Sequence, residues 1–230
     1  LVPSDEQNLI DKSLDLFYRN VDLPRKHFRV NLEKAIPIGA GLGGGSADAA
    51  ATLRYLNDLH GQPFDVKGLQ ALAAELGSDI PFLVEGGTAI LRGRGEKVDT
   101  IIWPHKVYYT LVYPDVAVST SWAYGQIGSD LTENRPYISI VSSLSGGYFD
   151  LWELLNVLEN DFLHIVENAY PIVATIRSRL ESAGALMSSL SGSGSTIYGL
   201  FDDRNAALKA CDELRDRGYR SFFCQPLSLQ

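Results

Sequence analysis

Apolar residues recur at helical spacings of three and four from Glu6 to Tyr18, at Leu9, Ile10, Leu14 and Phe17, and the polar run Ser4-Asp5-Glu6 before them suits a helix start. The period then changes to two. Phe28, Val30 and Leu32 alternate with Arg29, Asn31 and Glu33, which predicts a strand with one wet face, and Pro37 ends it. A helix is expected from Ser46, its stripe formed by Ala49, Leu53, Leu56 and Leu59, with Gly61-Gln62-Pro63 as its stop. Val66 to Leu76 reads as the next helix, Gly77-Ser78-Asp79 as its exit, and Thr88 to Leu91 as a short strand.

Beyond Trp103-Pro104 the pattern starts afresh. Val107 to Tyr113 predicts a strong strand, and Val116 to Val118 a second one after the turn residues Pro114-Asp115. A polar connection from about Ser129 to Gly147 precedes helical patterns from Asp150 to about Asn168 and from Ile172 to about Ala183. Ala185 to Ser189 and Thr196 to Phe201 read as strands joined by a tight Ser/Gly turn. Asn205 to Arg217 reads as a helix stopped by Gly218, and Ser221 to Cys224 as a last strand. Helices and strands in no strict alternation predict an α+β fold. Two domains are expected, 1–104 and 105–230, since 230 residues exceed what one compact core of roughly 100 to 150 residues needs.

Composition narrows the classes. Charged residues make up 21% and hydrophobic residues 45%, as in an ordinary globule, and no apolar run approaches the roughly 18 to 20 residues of a membrane span. A cytoplasmic protein is expected. The net charge of −8 comes without a Lys/Arg block, so nucleic acid is not an expected partner. Cys211 and Cys224 lack metal-ligand spacing and read as buried thiols, and the four histidines are scattered. Nothing in the pattern specifies an oligomeric state. The chain opens Leu1-Val2-Pro3-Ser4 rather than with Met, and an upstream segment is expected.

The chemistry concentrates in Gly39-Ala40-Gly41-Leu42-Gly43-Gly44-Gly45, a glycine-rich stretch that delivers the chain directly to a helix. Glycine lets backbone N–H groups approach an anion, and the unpaired first-turn amides carry the positive end of the helix dipole. A flexible linker is the bland alternative, yet linkers seldom lead straight into an amphipathic helix. A Walker A loop needs Lys before Ser/Thr, and Gly45 stands before Ser46. Gly39-x-Gly41-x-x-Gly44 does satisfy the dinucleotide fingerprint, but the run before it alternates where a buried parallel strand is almost continuously apolar.

What remains is Pro37-Ile38-Gly39-Ala40-Gly41-Leu42-Gly43-Gly44-Gly45-Ser46-Ala47-Asp48-Ala49-Ala50, which resembles the nucleotide loop of the GHMP kinases. Within that superfamily the whole chain is similar to the 4-diphosphocytidyl-2-C-methyl-D-erythritol kinase family of the non-mevalonate isoprenoid precursor pathway. Further segments carry the likeness: Leu76-Gly77-Ser78-Asp79-Ile80-Pro81-Phe82, Gly93-Arg94-Gly95-Glu96, Val118-Ser119-Thr120-Ser121-Trp122-Ala123-Tyr124, Asn160-Asp161-Phe162 and Leu190-Ser191-Gly192-Ser193-Gly194-Ser195-Thr196. The implied fold is a ribosomal-protein-S5-like N-terminal domain, here lacking its first strands, and a ferredoxin-like C-terminal domain. The family's opening segment, with a catalytic lysine and a Gly-Tyr-His motif, has no counterpart here. Other GHMP kinases, acting on homoserine, mevalonate or a sugar, are the nearest alternative. A non-catalytic nucleotide-binding relative is the alternative from another class.

The resemblance implies ATP and Mg²⁺ as cofactors and a cytidine diphosphate sugar alcohol as the second small-molecule substrate. It assigns ATP to Pro37, Ile38, Gly39, Ala40, Gly41, Leu42, Gly43, Gly44, Gly45, Ser46 and Ala47, with Ser46 near the metal, and makes Asp79 the catalytic base. On spacing alone Asp79 equally suits a cap before Pro81, and Asp48 a favourable first-turn acid. Lys34 and Lys97 read as poor substitutes for the missing lysine, one on a wet strand face and one in an exposed turn. Ser191, Gly192, Ser193 and Gly194 offer a second anion cradle for the substrate. Thr120 and Tyr124 match substrate-contacting positions, and Tyr124 suits stacking on the cytosine ring.

Overall fold

The computed structural model describes residues 8–103, 105–127, 151–156 and 158–227. Its backbone divides into two compact units, one comprising 1–38 and 43–101, the other 39–42 and 102–230. The chain passes from the first unit to the second between Ile101 and Ile102. The excursion of Gly39 to Leu42 into the second unit has no counterpart in the hydrophobic pattern.

The first unit is built on four helices. α1 (Leu9–Arg19) starts at Asn8, whose side chain accepts the Ile10 N–H at 2.9 Å; the Ser4-Asp5-Glu6 start expected from the pattern lies outside the described residues. α2 (Gly44–Leu59) begins two residues earlier than Ser46, from Gly43 in the left-handed region at φ 63°. α3 (Val66–Ala74) is capped by Asp65, which accepts the Gly68 N–H. α4 (Ile80–Glu85), to which the pattern assigns no element, has Pro near its start and buried Ile80 and Val84. Leu16 and Phe17 of α1, Ala49, Leu53 and Leu56 of α2, Leu69 and Leu72 of α3, and Ile80 and Val84 of α4 form one core. Burying each of the larger side chains stabilises by about 1.5–3 kcal/mol. A hairpin of β1 (Thr88–Arg92) and β2 (Lys97–Ile101) completes the unit, with Arg92 opposite Lys97 at the turn.

Residues 24–35 form no strand. The alternation of Phe28, Val30 and Leu32 is real, but a strand needs a ladder, and none of the described residues pairs with this run. Phe28 meets Tyr55 of α2 edge to face, while Val30 is exposed.

The second unit carries an antiparallel four-stranded sheet, β3 (Tyr108–Tyr113), β4 (Met187–Leu190), β5 (Ile197–Phe201) and β6 (Arg220–Cys224), in the spatial order β4-β5-β3-β6. Around it lie α5 (Thr120–Gln126), α6 (Leu151–Leu155), α7 (Leu163–Ala169), α8 (Pro171–Ser182) and α9 (Arg204–Asp216). Val173, Ile176 and Leu180 of α8 and Ala207, Ala210 and Leu214 of α9 pack with Val112, Ile197 and Phe201 of the sheet. This sheet order, with α8 and α9 packed on one face, is the ferredoxin-like arrangement that the resemblance implies.

Three expectations are corrected here. Val116 to Val118 is not a strand; the chain instead enters α5, whose N-cap Ser119 accepts the Trp122 N–H. The long helix expected from Asp150 to Asn168 is two short ones among the described residues, and the chain turns between them at Asn160, whose carboxamide oxygen accepts the Phe162 N–H. Cys211 is buried as expected but Cys224 is only half-buried, and burial raises the pKa of both thiols. The polar connection expected at 129–147 lies outside the described residues.

Candidate active site

In the first unit the glycine stretch ends by opening α2. Gly43 is the N-cap, and only a residue that tolerates φ 63° turns the chain into the helix at that point without strain. Gly44 does not have a positive φ; a Cβ there would crowd Ile36 Cγ2 at 3.1 Å. The first-turn amides of α2 therefore have no side-chain cap and no acid beside them. They are free to meet an anion. Ser46 is half-buried, and its hydroxyl makes no hydrogen bond among the described residues.

Asp79 stands at the N-cap position of α4 but does not cap it, so the capping alternative is not what the side chain does. Its carboxylate is exposed and makes no hydrogen bond or ion pair among the described residues. Beneath it the backbone is anchored by Ile80 and Pro81, both buried. The Gly93-Arg94-Gly95-Glu96 turn is seated against the same place. A Cβ on Gly95 would lie 2.8 Å from the Ser78 carbonyl oxygen, and its φ is 114°. Glycine there lets the hairpin turn pack on the residue preceding Asp79. Glu96 accepts the Arg94 N–H at 2.7 Å, and backbone hydrogen bonds hold its pKa below the usual carboxylate value.

Lys34 is not on a wet face. Its side chain is 19% exposed, and Nζ donates to Asp48 Oδ2 at 2.6 Å. Asp48 is thereby explained. With α2 beginning at Gly44, Asp48 falls beyond the first turn and works as the partner of this ammonium rather than as a first-turn acid. Sequence reasoning missed the pair because the period-two pattern placed Lys34 on a strand that is not there. Lys97 is exposed at the start of β2.

In the second unit the other end of the glycine stretch is clasped by the Ser/Gly turn between β4 and β5. Ser191 Oγ donates to the Gly41 carbonyl at 2.9 Å, and the Thr196 N–H donates to the Ala40 carbonyl at 3.1 Å. The Val118 N–H reaches the Gly39 carbonyl at 3.4 Å. A Cβ on Gly41 would stand 2.2 Å from the Ser191 carbonyl oxygen and 2.7 Å from that of Gly194. No side chain fits there. Ser195 donates to the Val116 carbonyl. Ser191 thus spends its hydroxyl holding the glycine loop, a duty its spacing did not reveal.

Asn160 is a second residue whose work was not legible. Its amide donates to the carbonyls of Leu190 at 2.8 Å and Gly192 at 2.9 Å, which pins the turn from behind. Thr120 Oγ1 lies 3.0 Å from Ser193 Oγ, so the structure brings these two predicted residues together at the head of α5. Tyr124, one turn on, is 63% exposed and meets Phe162 edge to face at 4.9 Å between ring centroids. It is not core. One face of an aromatic supported in this way remains open to a planar ring. Pro37 and Ile38 belong to the first unit, Ile38 being exposed.

Comparison with known proteins agrees with this geometry. The GHMP kinases N terminal domain matches residues 8–87 and the GHMP kinases C terminal domain residues 149–220. A 4-diphosphocytidyl-2-C-methyl-D-erythritol kinase of Exiguobacterium sibiricum is 37% identical over 216 residues, covering 93% of this chain and 74% of its own length. One from Gloeobacter violaceus is 37% identical over 231 residues, covering 98% and 76%. The chain belongs to the 4-diphosphocytidyl-2-C-methyl-D-erythritol kinase family. A crystal structure of 4-(cytidine 5'-diphospho)-2C-methyl-D-erythritol kinase matches it with a TM-score of 0.74 at 30% identity, over 97% of this chain and 79% of the other. As a member of this family the chain is a small-molecule kinase of the GHMP type, and ATP is its phosphoryl donor. Among the described residues no helix is long and apolar enough to cross a membrane.

Proposed function

We propose that this kinase transfers the γ-phosphoryl group of ATP to the 2-hydroxyl of 4-diphosphocytidyl-2-C-methyl-D-erythritol, in the cytoplasm, as a step of non-mevalonate isoprenoid precursor synthesis. The observation that carries the reading is kinship at 37% identity over 98% of the chain. That span includes the nucleotide loop, the Asp79 segment and the Ser/Gly turn.

Phosphoryl transfer to an alcohol needs an oriented hydroxyl, neutralised triphosphate charge and an acceptor for the hydroxyl proton. The alcohol oxygen bonds to the γ-phosphorus, the bond from that phosphorus to the bridging oxygen of ADP breaks, and the hydroxyl proton passes to Asp79. An unengaged carboxylate on a buried anchor suits that duty, because no hydrogen bond within the protein has to break first. The amides of Gly43 to Ser46 receive phosphate oxygens, with Pro37 to Leu42 leading the nucleotide to them and Ala47, whose N–H is spent on the Gly43 carbonyl, lining the turn. Mg²⁺, when bound, neutralises phosphate charge. Ser46, whose hydroxyl makes no hydrogen bond among the described residues, is the residue that would hold it. The Ser191 to Gly194 turn with Thr120 receives the diphosphate side of the alcohol, and Tyr124 stacks on its cytosine.

The test is Asp79→Asn, assayed in the full-length protein. Turnover is expected to fall by roughly 10² or more, the scale of a lost general base, with ATP affinity within a few fold of wild type. Near-normal turnover removes Asp79 from the mechanism.

A further inference from the structure

The nucleotide loop, from Pro37 to Asp48, contains no Lys or Arg, so its own residues offer a triphosphate only backbone N–H groups and hydroxyls. The fold supplies what the loop lacks. Lys34 comes from the irregular segment just before the loop, and its ammonium ends beside the first residue of α2: a Cβ built on Gly44 would stand 3.4 Å from Nζ. Its partner Asp48, 27% exposed, sits one turn along the same helix.

This arrangement is electrostatically unbalanced. The N-terminal end of a helix already carries positive potential, and an ammonium placed there is disfavoured unless negative charge offsets it. Asp48 supplies one negative charge for two positive features, and the first turn contains no other acid. An anion lodged at Gly43 to Gly45 would satisfy both. Burial strengthens the argument, since a largely desolvated ammonium attracts an incoming phosphate oxygen more strongly than a solvated one.

We propose that Lys34 is the phosphate-binding cation of this loop, held in place by Asp48 as a positioning residue, and takes the role that a lysine inside the loop plays in P-loop proteins. The inference rests on the reading of the loop as the ATP cradle. With only one carboxylate oxygen engaged by Nζ at 2.6 Å, the ammonium keeps donors for a phosphate.

Calorimetric titration of the full-length protein with ATP, ADP and adenosine tests it. Wild type is expected to bind ATP far more tightly than adenosine; equal affinities would overturn the cradle reading and this inference with it. If wild type discriminates, Lys34→Met is expected to weaken ATP by roughly 10- to 100-fold, the scale of one lost charge-assisted hydrogen bond, with adenosine changed less than about twofold. Lys34→Arg is expected to recover most of the loss. Removing one member of a half-buried pair risks unfolding, so the paired variant Lys34→Gln with Asp48→Asn, which leaves no charge stranded, is measured alongside. It is expected to lose ATP affinity as Lys34→Met does. If both variants keep wild-type discrimination between ATP and adenosine, or lose adenosine as strongly as ATP, Lys34 does not bind phosphate, although the loop reading stands.

Discussion

The two ends of the glycine stretch share a composition but not a reason for it. At Gly41 the constraint is another piece of backbone: carbonyl oxygens of Ser191 and Gly194 occupy the place of a side chain, and φ is 73°. At Gly43 the constraint is conformational alone. φ is 63°, while the nearest atom to a Cβ there is Leu83 Cδ1 at an ordinary 3.9 Å. One end is glycine because the loop is held by a distant turn of the chain, the other because a helix has to begin there from a left-handed residue. A glycine-rich motif therefore encodes two separate demands, tertiary at one end and local at the other.

The largest expected effect separates them directly. Gly41→Ala drives a methyl group into two carbonyl oxygens and forces a left-handed alanine, and is expected to destabilise the protein by on the order of 3 to 5 kcal/mol in urea melts. Gly43→Ala meets only the left-handed penalty, partly offset by reduced freedom of the unfolded chain, for a loss of about 1 kcal/mol. Equal losses in the two variants would show that the distinction between the ends is wrong. A smaller effect sharpens the assignment of the second unit. Tyr124→Ala is expected to lose stacking worth about 1 to 3 kcal/mol, seen as a higher KM for the alcohol with the KM for ATP nearly unchanged. A shift in the ATP constant instead would place Tyr124 on the nucleotide side.

Much of this was legible in the chain. The helices α2 and α9 announce themselves by apolar stripes that each bury one face, and the strands β3 and β5 by dense apolar and aromatic runs, because both of their faces meet packed side chains. The glycine stretch opening α2 was legible as a motif, since its geometry depends on residue type over a short span. What stayed hidden depends on partners far away in sequence. Residues 24–35 alternate like a strand, but pairing is a property of two segments, and periodicity describes only one. Lys34 was misplaced for that reason, and its pairing with Asp48 across fourteen positions leaves no local trace. The α4 helix is too short, at six residues, for periodicity to register, and is held by Ile80 and Val84 packing rather than by propensity. Asn160 reads as one polar residue in a helical stretch; that it breaks the helix and clamps Leu190 and Gly192 is visible only once the turn is folded beside it.

In the proposed reading the glycine loop and the Asp79 carboxylate supply phosphoryl transfer, and Thr120, Tyr124 and the Ser191 to Gly194 turn choose the alcohol. The most direct measurement is ATP-dependent turnover of the full-length protein against 4-diphosphocytidyl-2-C-methyl-D-erythritol, homoserine, mevalonate and galactose under one set of conditions. The account predicts that the diphosphocytidyl alcohol is phosphorylated with kcat/KM at least about a hundredfold above the others, the discrimination expected when polar groups of the site are left unpaired by a smaller substrate. Turnover confined to homoserine, mevalonate or galactose would contradict it.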